Sequence, residues 1–410
     1  MRHFILTLAA TLALAQPVLA QSKPDAKLLA AIETCRNPSR TLLEQTVAID
    51  SGTGDADGLA SVGALFAEKL KALGADVRKS SPTTGTGDNI VATLTGTGKG
   101  RILLIAHMDT VFSRGDVAAR KPHWNGDHYI GPGAGDDKSG GVTAICALGA
   151  LKTIGFRDYK RMDLLLNASE ETGSFGSREL IRSLAKEADA VINLERGVPT
   201  DKVLLSRKGS ATLTLEFAGR AAHSGLEPEK GRNAALEAAM QALQLAKLGD
   251  AFKGTTVNIT ILTGGDKINV IPDHAIVKAD VRVQTPDEFD RIEKAASILA
   301  AHTAIEGVTA TAKLDRNFPP WPHVASTDAL LVRANKLYAE LGRTLTGISV
   351  GSSADSAIAA ETGVPTIDGF GLEGDGAHSV DDSTDISTLT PRAYLLARML
   401  MDIGHNPPKH

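Results

Sequence analysis

The chain has 410 residues, of which 42% are hydrophobic and 22% are charged, and its formal net charge is −4. This length is enough for two domains with substantial cores, and the composition is ordinary for a globular protein. Because the net charge is slightly acidic and no block of like charges occurs, composition argues against nucleic acid or an anionic membrane surface as a general partner.

The first twenty residues have the pattern of a secretory signal peptide. Arg2 and His3 precede an apolar stretch from residue 4 to residue 15, which is too short to span a bilayer. Small residues stand at the −3 and −1 positions of a cut after Ala20. We therefore expect a mature chain that begins near Gln21 and is exported to a bacterial periplasm or secreted. A retained membrane anchor is the alternative.

The sequence contains two cysteines, Cys35 and Cys146. Two cysteines in a chain of this length do not make a disulfide framework. Cys146 falls within an apolar helical pattern, which favours a small buried side chain over a metal ligand or nucleophile. Whether the two cysteines pair stays open.

Apolar spacing predicts alternating helices and strands in the first half of the chain. Helices are predicted at 27–47, 59–73, 142–154 and 176–186, and strands at 89–95, 101–106, 162–167 and 190–194. The second strand is a continuous apolar run, as expected in the middle of a sheet covered on both faces. This alternation indicates a layered α/β domain with a largely parallel or mixed sheet.

The pattern changes between residues 207 and 315. Strands at 211–217, 256–262, 275–283 and 308–313 alternate with helices at 233–247 and 286–302. This is the β-α-β-β-α-β order of a ferredoxin-like unit. Helices at 328–341 and 390–403 and a strand at 365–368 then return to the first domain. The predicted organisation is a signal peptide (1–20), a discontinuous domain (21–206 and 316–410) and an inserted domain (207–315).

Five loops rich in acids or histidine follow predicted strands or precede a predicted helix. They contain His107, Asp109, Asp136, Asp137, Glu170, Glu171, Glu195 and His378. In open α/β sheets, ligands bind beyond the carboxyl ends of the strands, so we expect these side chains to meet at one edge. Two histidines and several carboxylates suit Zn²⁺. A bridging carboxylate allows two ions, and an unbound one can act as general base. Each loop taken alone is also compatible with a solvated turn or a helix cap.

Several ordered motifs resemble those of the di-zinc exopeptidase/aminoacylase family. They are His107-Met-Asp-Thr-Val, Gly131-Pro-Gly-Ala-Gly-Asp-Asp-Lys, Glu170-Glu-Thr-Gly-Ser-Phe-Gly-Ser and Gly219-Arg-Ala-Ala-His-Ser, followed by the final glycine-rich histidine loop. The resemblance covers almost the whole mature chain and is nearest to the bacterial glutamate carboxypeptidases. It implies a zinc-exopeptidase-like α/β catalytic domain and a ferredoxin-like insert that serves as lid and dimerisation domain.

The resemblance implies a site for two zinc ions, with Co²⁺ able to substitute. Asp136 corresponds to the carboxylate that bridges both ions. His107 and Glu195 complete the ligands of one ion, and Glu171 and His378 complete those of the other. Asp137, in contrast, is expected to cap the following helix or to lie outside the ligand set.

The same resemblance assigns catalytic roles to three further residues. Glu170 is the general base, which takes a proton from the attacking water and delivers it to the leaving nitrogen. Asp109 orients His107. His223, in the insert, reaches the tetrahedral intermediate of the neighbouring subunit as an oxyanion donor, so a homodimer is expected.

Four residues are expected to bind the substrate. Asn269 and Arg282 match family positions that hold a free carboxylate, and a planar guanidinium suits that group. Lys202 and Arg316 are candidates for a side-chain carboxylate, although a lone surface cation is commonly just solvated. The expected reaction is hydrolysis of an amide that releases a C-terminal amino acid, glutamate first, from a folate-like, N-acyl or peptidyl conjugate.

Two alternatives remain at this point. An N-acyl- or N-succinyl-amino-acid deacylase would share the same metal motifs. A catalytically inactive periplasmic binding protein on this scaffold would have lost a ligand or the base, whereas all six positions are filled here. The segments 351–355 and 374–377 depart from the family pattern and should face the substrate, which leaves the detailed specificity open.

Overall fold

The computed structural model describes residues 23–408 of the protein. Its α-helices are α1 (Ala26–Val47), α2 (Ala56–Leu73), α3 (Asp116–Ala119), α4 (Ser139–Thr153), α5 (Arg178–Glu187), α6 (Ala234–Leu245), α7 (Pro286–Ala301), α8 (Ala325–Tyr338), α9 (Asp355–Ala360) and α10 (Leu389–His405). Its strands are β1 (Asp76–Ser80), β2 (Asn89–Thr95), β3 (Arg101–His107), β4 (His123–Asn125), β5 (His128–Ile130), β6 (Arg161–Asn167), β7 (Ala190–Asn193), β8 (Lys202–Arg207), β9 (Gly209–Ala218), β10 (Ala222–His223), β11 (Thr256–Gly264), β12 (Val270–Ile271), β13 (His274–Val283), β14 (Thr309–Phe318), β15 (Thr346–Val350), β16 (Thr366–Ile367), β17 (Gly374–Asp375) and β18 (Ser383–Asp385).

The main sheet is mixed, and its strand order is β1-β2-β6-β3-β7-β16. Strands β6, β3, β7 and β16 run parallel, whereas β1 and β2 form an antiparallel edge. Successive side chains of β3 point to opposite faces. Ile102 and Leu104 belong to the core that includes α1, α4 and α10, and Leu103 and Ile105 belong to the core formed with α5 and α9. The predicted layered α/β domain is therefore confirmed.

A disulfide bond joins Cys35 of α1 to Cys146 of α4, whose Cα atoms are 5.6 Å apart. The two helices lie side by side on the same face of the main sheet. Cys146 is buried, as its apolar surroundings in the sequence predicted. The pairing, which the sequence left open, closes a long loop and so reduces the entropy of the unfolded chain.

The insert has the predicted β-α-β-β-α-β order, and its antiparallel sheet has the strand order β11-β13-β9-β14. Helices α6 and α7 cover one face of this sheet through a core of their own. Strand β11 is an edge strand, and Ile261 and Leu262 on it are exposed. Strand β14 continues to Phe318, and the domain boundaries at 207 and 315 stay a prediction.

The sequence pattern missed several short elements that shape the region beyond the main sheet. Strands β8 and β15 form a parallel pair, and β17, β18, β5 and β4 form a small antiparallel sheet. That small sheet brings the segment from β17 to β18 beside residues 131–135, because the amides of Gly131, Gly133 and Gly135 all donate to Asp382. Within the described residues, no helix is both long and apolar enough to cross a bilayer. The predicted signal peptide lies outside the described residues.

Candidate metal centre

The polar side chains of the centre come from the carboxyl ends of neighbouring parallel strands. His107 is the last residue of β3, Glu170 and Glu171 form one 3₁₀ turn after β6, and Glu195 follows β7. Asp136 stands before α4, and His378 lies between β17 and β18. The positions of these residues at the ends of predicted strands led us to expect that they would meet at one edge of the sheet. The structure brings them together there.

The side chains form two groups that share Asp136. His107 Nε2 lies 3.1 Å from Asp136 Oδ1 and 3.6 Å from Glu195 Oε1. His378 Nε2 lies 3.4 Å from Asp136 Oδ2 and 3.1 Å from Glu171 Oε2. Each oxygen of Asp136 thus faces a different histidine, and each histidine also lies near a different glutamate.

The donor atoms fit divalent metal ions. His107, Glu170 and Glu195 offer one set of ligand atoms within 4.8 Å of one another, and His107, Asp136 and Glu171 offer another. Imidazole nitrogen and carboxylate oxygen are the donors expected for Zn²⁺ and similar ions. The two sets share His107, and Asp136 lies beside it, so the cluster offers enough donor atoms for two ions.

The electrostatics of the cluster point the same way. Burial, with a contribution from Asp136, raises the pKa of Glu195 to about 8. Burial also raises the pKa of Glu170 well above its usual range, and Glu195 and Glu171 add to that effect. Hydrogen bonds to Asp136 and Glu171 raise the pKa of His378 to about 10. Buried carboxylates crowded in this way need added positive charge, which divalent ions supply.

Asp109 connects His107 to the turn that carries both glutamates. Its backbone carbonyl lies 2.9 Å from His107 Nδ1, and its carboxylate oxygen Oδ1 lies 3.5 Å from the same atom. The carboxylate accepts from the amides of Glu170 (3.0 Å) and Glu171 (3.1 Å) and from the hydroxyl of Thr53 (2.6 Å). A proton on Nδ1 leaves Nε2 free to bind a metal.

Asp136 and Asp137 have different surroundings although they are adjacent. Asp137 is buried behind His107, whose amide donates to Asp137 Oδ2 at 3.3 Å, and its Oδ1 has no partner within the described part of the chain. Within the described residues, the hydrogen bond to the Asp137 side chain comes from His107 and not from an amide of α4. A Cβ on Gly140 would lie 2.4 Å from the carbonyl oxygen of Leu194 and 2.6 Å from Asp137 Oδ1, so a glycine is required there. Of the two roles predicted for Asp137, helix capping is not observed, and a position outside the ligand set stays a prediction.

A cavity of about 590 Å³ opens over the cluster. Its wall contains the four acidic residues Asp136, Glu170, Glu171 and Glu195, and also His378. Residues 351–353 and Ala377 contribute to the same wall. The two segments that depart from the family pattern therefore line the cavity, as expected.

Comparison with known proteins identifies the family. The profile described as "Peptidase dimerisation domain" matches residues 205–308, and that of "Peptidase family M28" matches residues 89–244. Carboxypeptidase G2 of Pseudomonas sp. is 36% identical over 408 residues, which cover 98% of each chain. The chain belongs to the M20 family of metallopeptidases. It is a metallocarboxypeptidase or related amidohydrolase that catalyses metal-dependent hydrolysis of an amide.

Two further relatives support the placement of this M20 chain. Indole-3-acetyl-aspartic acid hydrolase of Enterobacter agglomerans is 29% identical over 196 residues, which cover 44% of this chain and 45% of that one. The crystal structure of a tripeptidase from Staphylococcus aureus has a TM-score of 0.75 at 24% identity and covers 90% of this chain and 99% of that one. The second likeness concerns the fold alone, and it agrees with the predicted fold class.

The residues expected to bind substrate in this M20 chain do not all meet at the cavity. Arg282 lines it, and its Nη1 lies 3.4 Å from Ser353 Oγ. Lys202 and Asn269 do not line it. Arg316 does not either, because its guanidinium donates to two carboxylates of α7.

His223 lies in the two-stranded ribbon of β10 and β12, Asn269 directly precedes β12, and neither residue lines the cavity of its own subunit. The amide of Ser224 donates to the carbonyl of Asn269 at 3.0 Å. His223 Nδ1 accepts from the amides of Gly225 and Leu226, both at 3.1 Å. The proton of a neutral His223 is therefore on Nε2, which makes that atom a hydrogen-bond donor.

Two arginines of the cavity were missed by the sequence analysis. Arg207 is buried, donates through Nε to Asp368 Oδ2 at 2.6 Å, and lies 3.8 Å from Glu195 Oε2. Burial alone would lower the pKa of Arg207, but the negative charges of Asp368 and Glu195 outweigh burial and raise that pKa. Arg196 directly follows Glu195 and lines the same cavity. A position at or just after the end of a strand could have indicated both arginines. For Arg207 that strand is β8, which the sequence analysis did not predict.

Proposed function

We propose that the chain releases a C-terminal amino acid from an N-acyl or peptidyl conjugate, with glutamate as the first candidate. The observation that carries the proposal is that Arg282 lies in the same cavity as the acidic cluster. A guanidinium beside a metal centre suits a substrate whose free carboxylate stands next to the scissile amide. The carboxylate thereby fixes the amide over the centre.

In this proposal, Asp136 would be shared by two zinc ions, and His107 and Glu195 would hold one ion while Glu171 and His378 would hold the other. Co²⁺ is expected to substitute for zinc. Bound there, the ions would polarise the amide carbonyl and lower the pKa of a water molecule. The chemistry of the donors and the two groups around Asp136 support the assignment.

Glu170 is proposed as the general base. It is buried, lines the cavity, and its amide donates to the carboxylate of Asp109. Burial raises its pKa, which suits a group that must both accept and return a proton. Glu170 would take a proton from the attacking water and deliver it to the leaving nitrogen.

We propose that the protein is a homodimer in which His223 acts on the active site of its partner. His223 does not line the cavity of its own subunit, and its Nε2 is a donor. The exposed edge strand β11 belongs to the region matched by the dimerisation profile. An oxyanion donor supplied from the partner would make the assembled dimer the active form.

Arg282 supplies the cavity with a guanidinium for the α-carboxylate, and glutamate would bring a second carboxylate on its side chain. Lys202 and Arg316, the candidates for a side-chain carboxylate, stand apart from the cavity wall. An acidic amino acid is supported by the relative that is named as a hydrolase of an aspartic acid conjugate. Arg207 adds a cation to the wall, although it is already paired with Asp368.

A substrate panel tests the proposal. Purified protein with Zn²⁺ or Co²⁺ is incubated with folate, methotrexate, N-acyl-glutamates and N-acyl derivatives of other amino acids, and the released amino acid is measured. Release of glutamate in preference to neutral amino acids is expected. Failure to release glutamate from any conjugate rejects the glutamate assignment. Rates that depend on the acyl half and not on the amino acid would favour the deacylase alternative.

We also propose that the protein is exported after cleavage near Ala20. The disulfide between Cys35 and Cys146 supports this, because such bonds persist mainly in oxidising compartments. The test is mass spectrometry of the protein from separated periplasm and cytoplasm of the producing bacterium. A full-length chain in the cytoplasm with free thiols would contradict the proposal.

A further inference from the structure

The three arginines of the cavity differ in their partners. Arg207 donates to the carboxylate of Asp368, and Arg282 donates through Nε to both carboxylate oxygens of Asp280, at 3.1 and 3.0 Å. Arg196 donates through Nη1 to the carbonyl of Gly374 at 3.0 Å. Within residues 23–408, no carboxylate lies within ion-pair distance of Arg196.

The free donors of Arg196 are available to a ligand in the cavity. A guanidinium carries five N–H groups in a planar fork, and one of them is bonded to Gly374. The positive charge of Arg196 favours the ionised form of Asp382. The Asp382 carboxylate, however, already accepts from the amides of Gly133 (2.7 Å) and Gly135 (3.0 Å). Arg196 is also only partly buried and lines the wall.

Arg196 and Arg282 contact different segments of that wall. Arg282 belongs to β13 of the insert and contacts Ser353. Arg196 follows Glu195 at the end of β7 and contacts Gly374, at the start of the segment that carries His378. An amide held at the cluster extends in two directions, so two separate guanidiniums suit two separate anionic groups of one substrate.

We propose that Arg196 forms a subsite for an anionic group on the acyl half of the substrate. The ligand class is a dicarboxylic acyl group, or a peptidyl group whose penultimate residue is acidic. The inference rests on the proposed function, in which Arg282 takes the carboxylate of the leaving amino acid. Arg196 then selects the other half of the same molecule.

The test compares two acyl groups of equal length attached to the amino acid that is released fastest. The glutaryl conjugate carries a terminal carboxylate, and the pentanoyl conjugate carries a methyl group in its place. Wild-type kcat/KM should be about 10- to 100-fold higher for the glutaryl conjugate, as expected for a charged hydrogen-bonded pair. Arg196→Gln should bring this ratio close to one while changing the pentanoyl rate by no more than about twofold.

Arg282→Gln is the matched control, since it should lower both rates by the same factor and leave their ratio unchanged. Metal content per subunit, measured on every variant, should stay at the wild-type value in Arg196→Gln. A ratio that Arg196→Gln leaves unchanged, or an equal fall for both conjugates, overturns the subsite.

A binding measurement tests the Arg196 subsite independently of the proposed hydrolysis. Calorimetry with free glutarate and free pentanoate needs no turnover, and glutarate should bind wild type more tightly than pentanoate does. That difference should disappear in Arg196→Gln and persist in Arg282→Gln. If neither conjugate is hydrolysed, the proposed function fails while the calorimetry still decides the subsite. Equal glutarate binding by wild type and Arg196→Gln rejects it.

Discussion

The buried Glu288 of the insert and the buried acids of the cavity have opposite electrostatic environments. In the insert, Glu288 accepts from Arg291, Lys253 and Thr255, with Arg291 Nη2 at 2.6 Å and Lys253 Nζ at 2.7 Å. Its pKa is lowered to about 2, first through Arg291, and burial opposes the shift. At the cavity, Glu170 and Glu195 face other acids, and burial raises their pKa values.

The difference separates a structural acid from a functional one. Glu288 has its full complement of counter-charge from the chain itself, so it needs no ligand. The cavity acids have two histidines and the guanidinium of Arg207, which lies 3.8 Å from Glu195 and is already paired with Asp368. A site that leaves carboxylates short of positive charge at an open cavity is prepared for a metal and a substrate. The predictions below test each side of this contrast.

The largest expected effect is that of Asp136→Asn. Loss of the shared negative charge should remove bound zinc and lower kcat by at least about 10³-fold, since catalysis requires the metal. Activity assays and metal analysis of the purified variant give the result. Zinc should also raise the Tm of wild type by mass action, and that rise should be absent from Asp136→Asn.

Asp137→Asn is the control for Asp136→Asn. Asp137 receives one hydrogen bond, from the amide of His107, and an asparagine oxygen can accept it equally well. The variant should therefore keep its zinc and much of its activity. Equal damage from both substitutions would show that the two aspartates do not have separate roles.

Glu170→Gln should lower kcat by about 10²- to 10⁴-fold, the usual contribution of general acid–base catalysis. Zinc content should remain that of wild type, because Glu170 is the acid left outside the proposed ligand groups around Asp136. Parallel loss of metal and activity would make Glu170 a ligand and require another base.

His223→Ala should lower kcat by about 10²- to 10³-fold, as removal of an oxyanion donor commonly does. Mixing it with Glu170→Gln tests the role in the partner subunit. A mixed dimer has one site with Glu170 and an intact His223 from the other chain, so activity should return above that of either variant alone. No recovery on subunit exchange would place His223 outside the partner's site.

Most of this architecture could be predicted from the sequence, because apolar periodicity and the residues that follow a strand can both be recognised within short segments of the chain. The apolar runs placed β3, β6 and β7 correctly, and the acids after them lie at one edge of the sheet as predicted. Pairings between distant segments were not predictable in this way. Strand β8 pairs with β15, and Cys35 with Cys146, across more than a hundred residues.

Arg316 shows why a motif position alone does not give a side chain its direction. Strand β14 has a register shift between Arg316 and Phe318, and such a bulge changes which face the following residues present. Arg316 precedes the bulge and contacts the acids of α7, whereas Asn317 and Phe318, at and after the bulge, line the cavity. A bulge cannot be recognised from the alternation of apolar residues in a single sequence.

The smallest expected effect concerns the structural acid of the contrast. Glu288→Gln should destabilise the insert by about 2 kcal/mol, less than the pKa shift alone implies, because Arg291 and Lys253 are partly exposed and solvent screens them. Thermal unfolding of the insert should show a Tm lower by roughly 8 °C or more, because about 1 kcal/mol shifts the Tm of a domain of about 100 residues by roughly 4 °C or more, and kcat should be retained. Glu293→Gln removes an exposed ion pair with Arg316 and should cost at most about 1 kcal/mol.

The pH dependence of this effect has a definite sign. The pKa of Glu288 is lower in the folded chain, about 2, than its usual value of 4.5, so its stabilisation is complete above about pH 5. It is lost as the pH falls from 4.5 toward 2, where the folded state must also take up the proton. The difference in Tm between wild type and Glu288→Gln should therefore shrink between pH 5 and pH 3. A constant difference would mean that the charge of Glu288 does not stabilise the insert and that the contrast with the cavity acids rests on packing.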